Sequence, residues 1–188
     1  GYVAGIATTD NQTYYIGTGE GLLEWNRNTN ITHFINFKDK DGLPLPSPQE
    51  IISIVIDNKE HIWATTNTQG VIVFDKNRKL VRHITHTGDR KFALKMERVN
   101  RLVIGPDDFI WACGKNGICR INPATFEVDH FEKSILSNFD STYCTLLEFT
   151  DKDNLWIAIS SGGVTHCNLA TNELRPYTTK EGLIHNGI

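Results

Sequence analysis

Runs of aliphatic and β-branched residues alternate with short polar clusters along the whole chain, and the alternation is itself periodic. A tyrosine or tryptophan opens the same kind of segment at Tyr15-Ile16-Gly17-Thr18, Trp63-Ala64-Thr65-Thr66, Trp111-Ala112-Cys113-Gly114 and Trp156-Ile157-Ala158-Ile159, at intervals of 48, 48 and 45 residues. Before each lies an apolar run, 3–8, 51–56, 99–104 and 144–149, with the composition of a strand buried on both faces. The polar clusters between run and aromatic are Asp10-Asn11-Gln12, Asp57-Asn58-Lys59-Glu60, Gly105-Pro106-Asp107-Asp108 and Asp151-Lys152-Asp153-Asn154. Such residues tolerate turn dihedrals or hydrogen-bond the local backbone, so each cluster predicts a turn. A glycine follows the aromatic by six or seven residues (Gly21, Gly70, Gly117, Gly163) and opens a third strand, which ends at Asn26, Asp75, Asn122 or Asn168. A fourth, more polar strand is expected near 31–35, 80–84, 128–131 and 174–177.

Four short strands per period of ~47 residues, with no sustained helical period, predict an all-β chain built as a β-propeller of four-stranded antiparallel blades. About four blades are expected, near 2–36, 50–85, 97–132 and 143–178, with 179–188 starting the next connection. The chain begins at Gly1, with neither an initiator Met nor a signal-like segment. The expectation is an internal stretch of a longer propeller, with closure of four blades the alternative.

The apolar strand, Asp turn, Trp-containing strand, Gly-apolar strand ending in Asp or Asn, and fourth strand together resemble the two-component regulator propeller repeat. The linkers Asp41-Gly42-Leu43-Pro44 and Glu181-Gly182-Leu183-Ile184-His185-Asn186 look like the Gly-Leu-x-x-Asn segment between such repeats. Tyr15 replaces Trp in the first unit, and the prolines from Pro44 to Pro48 replace the Asn region. The resemblance implies part of a seven-bladed propeller in the periplasmic sensor region of a Bacteroidetes hybrid two-component protein, on the outer side of the inner membrane. It further implies an oligosaccharide ligand linked to polysaccharide utilisation. The expected partners are other propeller or sandwich domains of the same receptor, with room for a homodimer.

Composition narrows little beyond this. The 188 residues carry a net charge of −3 with 22% charged residues, which gives no electrostatic case for nucleic acid or an anionic membrane. No apolar run approaches the ~18 residues of a spanning helix, so direct membrane insertion is not expected. The four cysteines, Cys113, Cys119, Cys144 and Cys167, have no zinc-ligand spacing. Cys113 and Cys119 flank an expected hairpin whose register pairs Cys113 with Ile118 and Cys119 with Ala112. That register argues against a disulfide and favours small buried apolar residues.

The repeat also governs the candidate chemistry. His33, His83 and His130 recur at one blade position, the mark of a structural preference; catalytic groups converge once. His83 and His86 fall on opposite faces of a strand. The turn acids Asp107-Asp108 and 151–154 lack the remaining ligands of a calcium loop, and Gly17-Thr18-Gly19-Glu20-Gly21 lacks the helix and Lys-Ser/Thr of a phosphate loop. Trp63, Trp111 and Trp156 are expected to pack between blades. No catalytic residue, metal or cofactor is therefore assigned.

Specificity is sought where the blades differ, in the fourth-to-first connections 36–50, 85–95, 132–141 and 178–187. These share one face with the second-to-third turns. Their candidate ligand-binding residues are Lys38, Asp39, Asp41, Asp89, Arg90, Lys91, Asn138, Asp140, His185 and Asn186. Three function classes follow: a ligand-sensing module, a propeller lyase or hydrolase, and a protein-interaction propeller.

Overall fold

A computed structural model describes residues 3–36, 38–39, 41, 43, 50–96, 98–131 and 143–187. The chain divides into two compact units, residues 1–85 and 86–188. Each unit holds two four-stranded antiparallel sheets in which strand order follows chain order. In the first unit, sheet 1 comprises β1 (Val3–Thr8), β2 (Thr13–Thr18), β3 (Gly21–Asn26) and β4 (Ile31–Phe34). Sheet 2 comprises β5 (Ile51–Ile56), β6 (Ile62–Thr66), β7 (Val71–Phe74) and β8 (Leu80–Ile84). In the second unit, sheet 3 comprises β9 (Val99–Ile104), β10 (Ile110–Gly114), β11 (Gly117–Ile121) and β12 (Val128–His130). Sheet 4 comprises β13 (Cys144–Phe149), β14 (Asn154–Ile159), β15 (Gly163–Asn168) and β16 (Glu173–Tyr177).

The recurrent glycine has a backbone cause. Gly70 and Gly163 sit at φ of 75° and 78° where the second strand turns into the third, a region that side-chain-bearing residues enter at a cost. At Gly163 an added Cβ would also run into the Tyr177 carbonyl oxygen. The first strand of every sheet carries a bulge at the same place. Pairing skips one residue between Val3 and Gly5, Ile51 and Ser53, Val99 and Arg101, and Cys144 and Leu146. The bulged residues Ala4, Ile52, Asn100 and Thr145 follow the period of the aromatic motif yet share no side-chain type. In the second unit the Asn100 amide donates to the Cys144 carbonyl at 2.8 Å and ties sheet 3 to sheet 4.

Burial follows strand position. Every residue of β6, β7 and β10 is buried, whereas β4 is exposed throughout. The first strands differ from the sequence expectation. They are only partly buried, with Val3 and Ile6 of β1 both 61% exposed, because each is the edge of its sheet while the second strand is flanked on both sides. The core of the first unit joins Leu22, Ile51, Ile54, Ile62, Ile72 and Phe74, with Tyr15 packed against it. That of the second joins Trp111, Ile118, Leu147, Leu155 and Ile157.

The cysteines lie where the register reading puts them: Cys113 pairs with Ile118 and Cys119 with Ala112, and all four thiols are free and buried. The Cys113 thiol lies against that of Cys144, a neighbour that the hairpin alone does not reveal.

Candidate functional site

The second-to-third turns and the fourth-to-first connections meet at one end of the sheets. In sheet 2 the Asn67 amide donates to Glu50 at 2.7 Å, and His83 Nε2 lies 2.6 Å from the Gln69 carbonyl. In sheet 4 Gly163 N–H donates to the Asn186 carbonyl at 3.0 Å. In sheet 3 His130 Nε2 lies 3.0 Å from the Ala93 carbonyl. At this end of sheet 3 a cavity of about 460 Å3 is lined by His86, Gly88, Arg90, Ala93, Leu94, Lys95, Lys115, Asn116 and His130. Three cationic side chains and two imidazoles line it, and none of the described lining residues carries a carboxylate. Burial, reinforced by Lys95, lowers the pKa of His130. A basic cavity of this size suits a small anionic group that accepts hydrogen bonds from Arg and Lys.

The residues anticipated for binding separate into two sets. Arg90 lines the cavity. Asp39, Asp89 and Asn186 instead shape their own loops. Asp39 Oδ1 accepts from the N–H groups of Asp41 and Leu43 at 2.9 and 2.8 Å, and Asp89 Oδ1 accepts from Lys91 N–H at 3.0 Å. Asn186 Oδ1 accepts from Thr179 N–H at 2.7 Å. Lys91 pairs with Glu127 at 2.7 Å, His185 Nδ1 accepts from Gly187 N–H at 2.7 Å, and Lys38 is exposed. Asn138 and Asp140 lie outside the described residues. The cavity adds His86, Lys95, Lys115 and Asn116, which sequence reasoning did not select. One signal was available: Lys115 is the single cation in the four second-to-third turns.

The recurrent histidines and turn acids have local partners. His33, His83 and His130 all lie on fourth strands, two of them holding backbone carbonyls as above. Asp151 accepts from the N–H groups of Asp153 and Asn154 and from the Asn154 amide, and these bonds hold its pKa below the usual carboxylate value. Asp57 is buried and accepts from Lys59 N–H, His61 N–H and the Trp63 indole at 2.9, 2.8 and 2.9 Å. Trp111 bridges two sheets, meeting Phe131 of sheet 3 and Phe149 of sheet 4 at centroid distances of 4.8 and 5.2 Å. Trp156, by contrast, packs on His166 and Tyr177 of its own sheet. Among the described residues, no group of three His, Cys, Asp or Glu is arranged to hold a metal ion.

No protein-family model and no curated protein matches the sequence. Solved structures do. The chain superposes on the extracellular domain of the protein BT3049 from B. thetaiotaomicron, described as a hybrid two component system. The TM-score is 0.76 at 17% identity, over 94% of this chain and 24% of that one. It superposes equally on the extracellular domain of BT4673 from the same organism, described as a one component system. There the TM-score is 0.72 at 20% identity, over 93% of this chain and 24% of that one. A third neighbour is virginiamycin B lyase from Staphylococcus aureus, with a TM-score of 0.66 at 15% identity, over 93% of this chain and 55% of that one. The chain has the β-propeller fold, with four blades among the described residues. Sheets 1 to 4 are blades 1 to 4, as the repeat predicts. The chain spans about a quarter of the length of the two B. thetaiotaomicron domains, of the kind implied by the repeat resemblance. Among the described residues no helix is long and apolar enough to cross a membrane.

Proposed function

We infer that this propeller is a ligand-sensing portion of the extracytoplasmic region of a hybrid two-component regulator, and that its ligand is a glycan fragment. The similarity to the BT3049 and BT4673 domains over nearly the whole chain carries the reading. The basic cavity of blade 3 gives it a site: Arg90, Lys95 and Lys115, with no carboxylate among the described lining residues, favour a fragment bearing a carboxylate or sulfate. In this reading the domain stands outside the bacterial inner membrane and other domains of the receptor pack beside it. Ligand signals only by preferring one receptor arrangement over another. The lyase neighbour, at 15% identity, supplies a fold only, so an enzymatic reading would rest on fold analogy alone.

Calorimetric titration of the protein with uronic-acid and sulfated trisaccharides tests this. Binding that weakens at least tenfold in the Arg90→Ala, Lys95→Ala double variant supports the reading. The reading fails if none of these saccharides binds while a protein partner is captured through the same face.

A further inference from the structure

A cavity of about 630 Å3 opens at the other end of blades 3 and 4, where the first-to-second and third-to-fourth turns lie. Its floor is aromatic, formed by Phe131 and Phe149 over the buried Trp111, and its polar lining includes Arg120, Lys152, His130, Asp107 and Asp129. The first unit contains the equivalent notch between blades 1 and 2, and there it shrinks to about 210 Å3. The difference arises at two positions that the repeat leaves free.

One is the cross-strand partner of the motif aromatic. Tyr15 pairs with Glu24, and Trp111 pairs with Arg120. The other is the left-handed residue of the third-to-fourth turn in the following blade, Arg78 at φ 66° in blade 2 and Asn172 at φ 58° in blade 4. In the first unit Arg78 reaches across and grips Glu24 with two hydrogen bonds, of 2.7 and 2.5 Å. That bidentate pair plugs the notch. In the second unit the acid has become Arg120 and the arginine has become the short Asn172, so no equivalent ion pair spans the gap among the described residues. At the end of the following blade's first strand, Phe149 stands where Ile56 stands in the first unit.

We propose that the open notch between blades 3 and 4 is a second ligand site, for a neutral hydroxyl-rich ring such as one or two uncharged sugar units. Three observations specify that class. The volume falls in the ~300–1,000 Å3 range of small-molecule sites. The aromatic floor offers a face for the C–H side of a ring. The rim sets donors against acceptors in near balance: Arg120 lies 3.2 Å from Asp129 and 3.4 Å from Asp107. These are long contacts that leave capacity on all three groups. A hydroxyl both donates and accepts, so it satisfies an Arg and an Asp together, whereas two cations (Arg120 and Lys152) set against two carboxylates leave no net charge for an anion to pair with. This preference is opposite to that of the basic cavity at the other end.

The inference rests on the reading that saccharides are this protein's ligands, and the test separates the two. Neutral trisaccharides (cello-, xylo-, manno- and maltotriose) and the acidic trisaccharides are titrated against the protein and against two variants. The double variant Arg120→Glu, Asn172→Arg rebuilds the Glu24–Arg78 plug in the notch; Arg120→Met removes the guanidinium and keeps the stem. The expected result is that the wild-type protein binds at least one neutral trisaccharide and both variants lose at least tenfold in affinity. Both variants should still melt in one cooperative transition, and their binding of acidic trisaccharides should stay unchanged. Neutral binding that survives both substitutions, or acidic binding without any neutral binding, overturns the second site and leaves the sensor reading standing. Binding of neither class overturns both.

Discussion

Asp57 and Asp107 occupy the same kind of turn and each serves the indole N–H of a motif tryptophan, yet their removal should have very different costs. Asp57 is 4% exposed. Its carboxylate accepts from Lys59 N–H, His61 N–H and Trp63 Nε1–H, and His61 Nδ1 lies 3.0 Å away. Asp57→Ala takes the partner from a fully buried indole and from two turn amides. Bonds to a charged acceptor are worth ~1.5–3 kcal/mol each, and the turn amides regain part of this from water, so the net loss is about 3–5 kcal/mol. In blade 3 the turn-opening position is Gly105, and the acid sits two residues later. Asp107 is 40% exposed, lies 3.5 Å from Trp111 Nε1 and accepts from Phe109 N–H at 3.3 Å. Asp107→Ala should cost below ~1 kcal/mol. Thermal melts by circular dichroism read the contrast as a drop of about 10 °C or more for Asp57→Ala, against a few degrees for Asp107→Ala. Asp57→Asn should fall between, since one oxygen still serves the turn while the new amide faces the Trp63 donor. Equal shifts for the two alanine variants would refute the view that geometry at the turn, and not the presence of an acid, anchors the tryptophan.

Three further outcomes follow from the same reasoning. Removing Arg78 alone leaves the Glu24 carboxylate buried with His33, 3.8 Å away, as its remaining charge partner among the described residues. Arg78→Met should thus destabilise more than the Glu24→Gln, Arg78→Met pair, with a coupling of about 1–2 kcal/mol after discounting for the exposed guanidinium. A double-mutant cycle by urea unfolding that shows no coupling would contradict this. Burial first, then Lys95, depress the His130 pKa despite the opposing bond to Ala93. The unfolded chain accordingly binds this proton more tightly, and stability from His130 is complete above the unfolded value of ~6.5 and declines as pH falls through the folded value. Melting temperatures between pH 8 and 5 should drop more steeply for the wild type than for His130→Gln; parallel slopes would rule the effect out. Burial and the neighbouring Cys144 thiol push the Cys113 pKa well up, and burial pushes that of Cys119 to about 12. A colorimetric disulfide reagent at pH 8 should therefore titrate four thiols only after denaturation, and fast reaction of the native protein would count against their burial.

Most of the scaffold was legible because it repeats. The apolar run, turn cluster, aromatic and glycine each recur at one spacing, and local chemistry suffices to place them: Asp and Asn for turns, glycine for a positive φ, β-branched runs for strands. The candidate site was less legible. Arg90 was found because its connection breaks the period; His86 and Lys95 lie in that same connection and were passed over, and Lys115 was missed because no local pattern shows that its turn converges on that connection. Asp39, Asp89 and Asn186 look like free polar groups in the sequence, but the fold commits them to their own loops.

The sequence by itself thus determined the blade: four strands, their turns and the hairpin register that keeps Cys113 from Cys119. Of the aromatics expected between blades, Trp111 bridges two sheets while Trp156 packs on its own. Only the tertiary structure decided what lies between blades. The bulges at Ala4, Ile52, Asn100 and Thr145 share no residue type, so nothing local announces them. The meeting of Cys113 with Cys144, of Glu24 with Arg78, and of Arg120 with the gap beside Asn172 depends on residues ~30–55 positions apart. The period fixes which positions face a neighbouring blade, while side-chain size and charge across that boundary decide whether the notch is plugged or open.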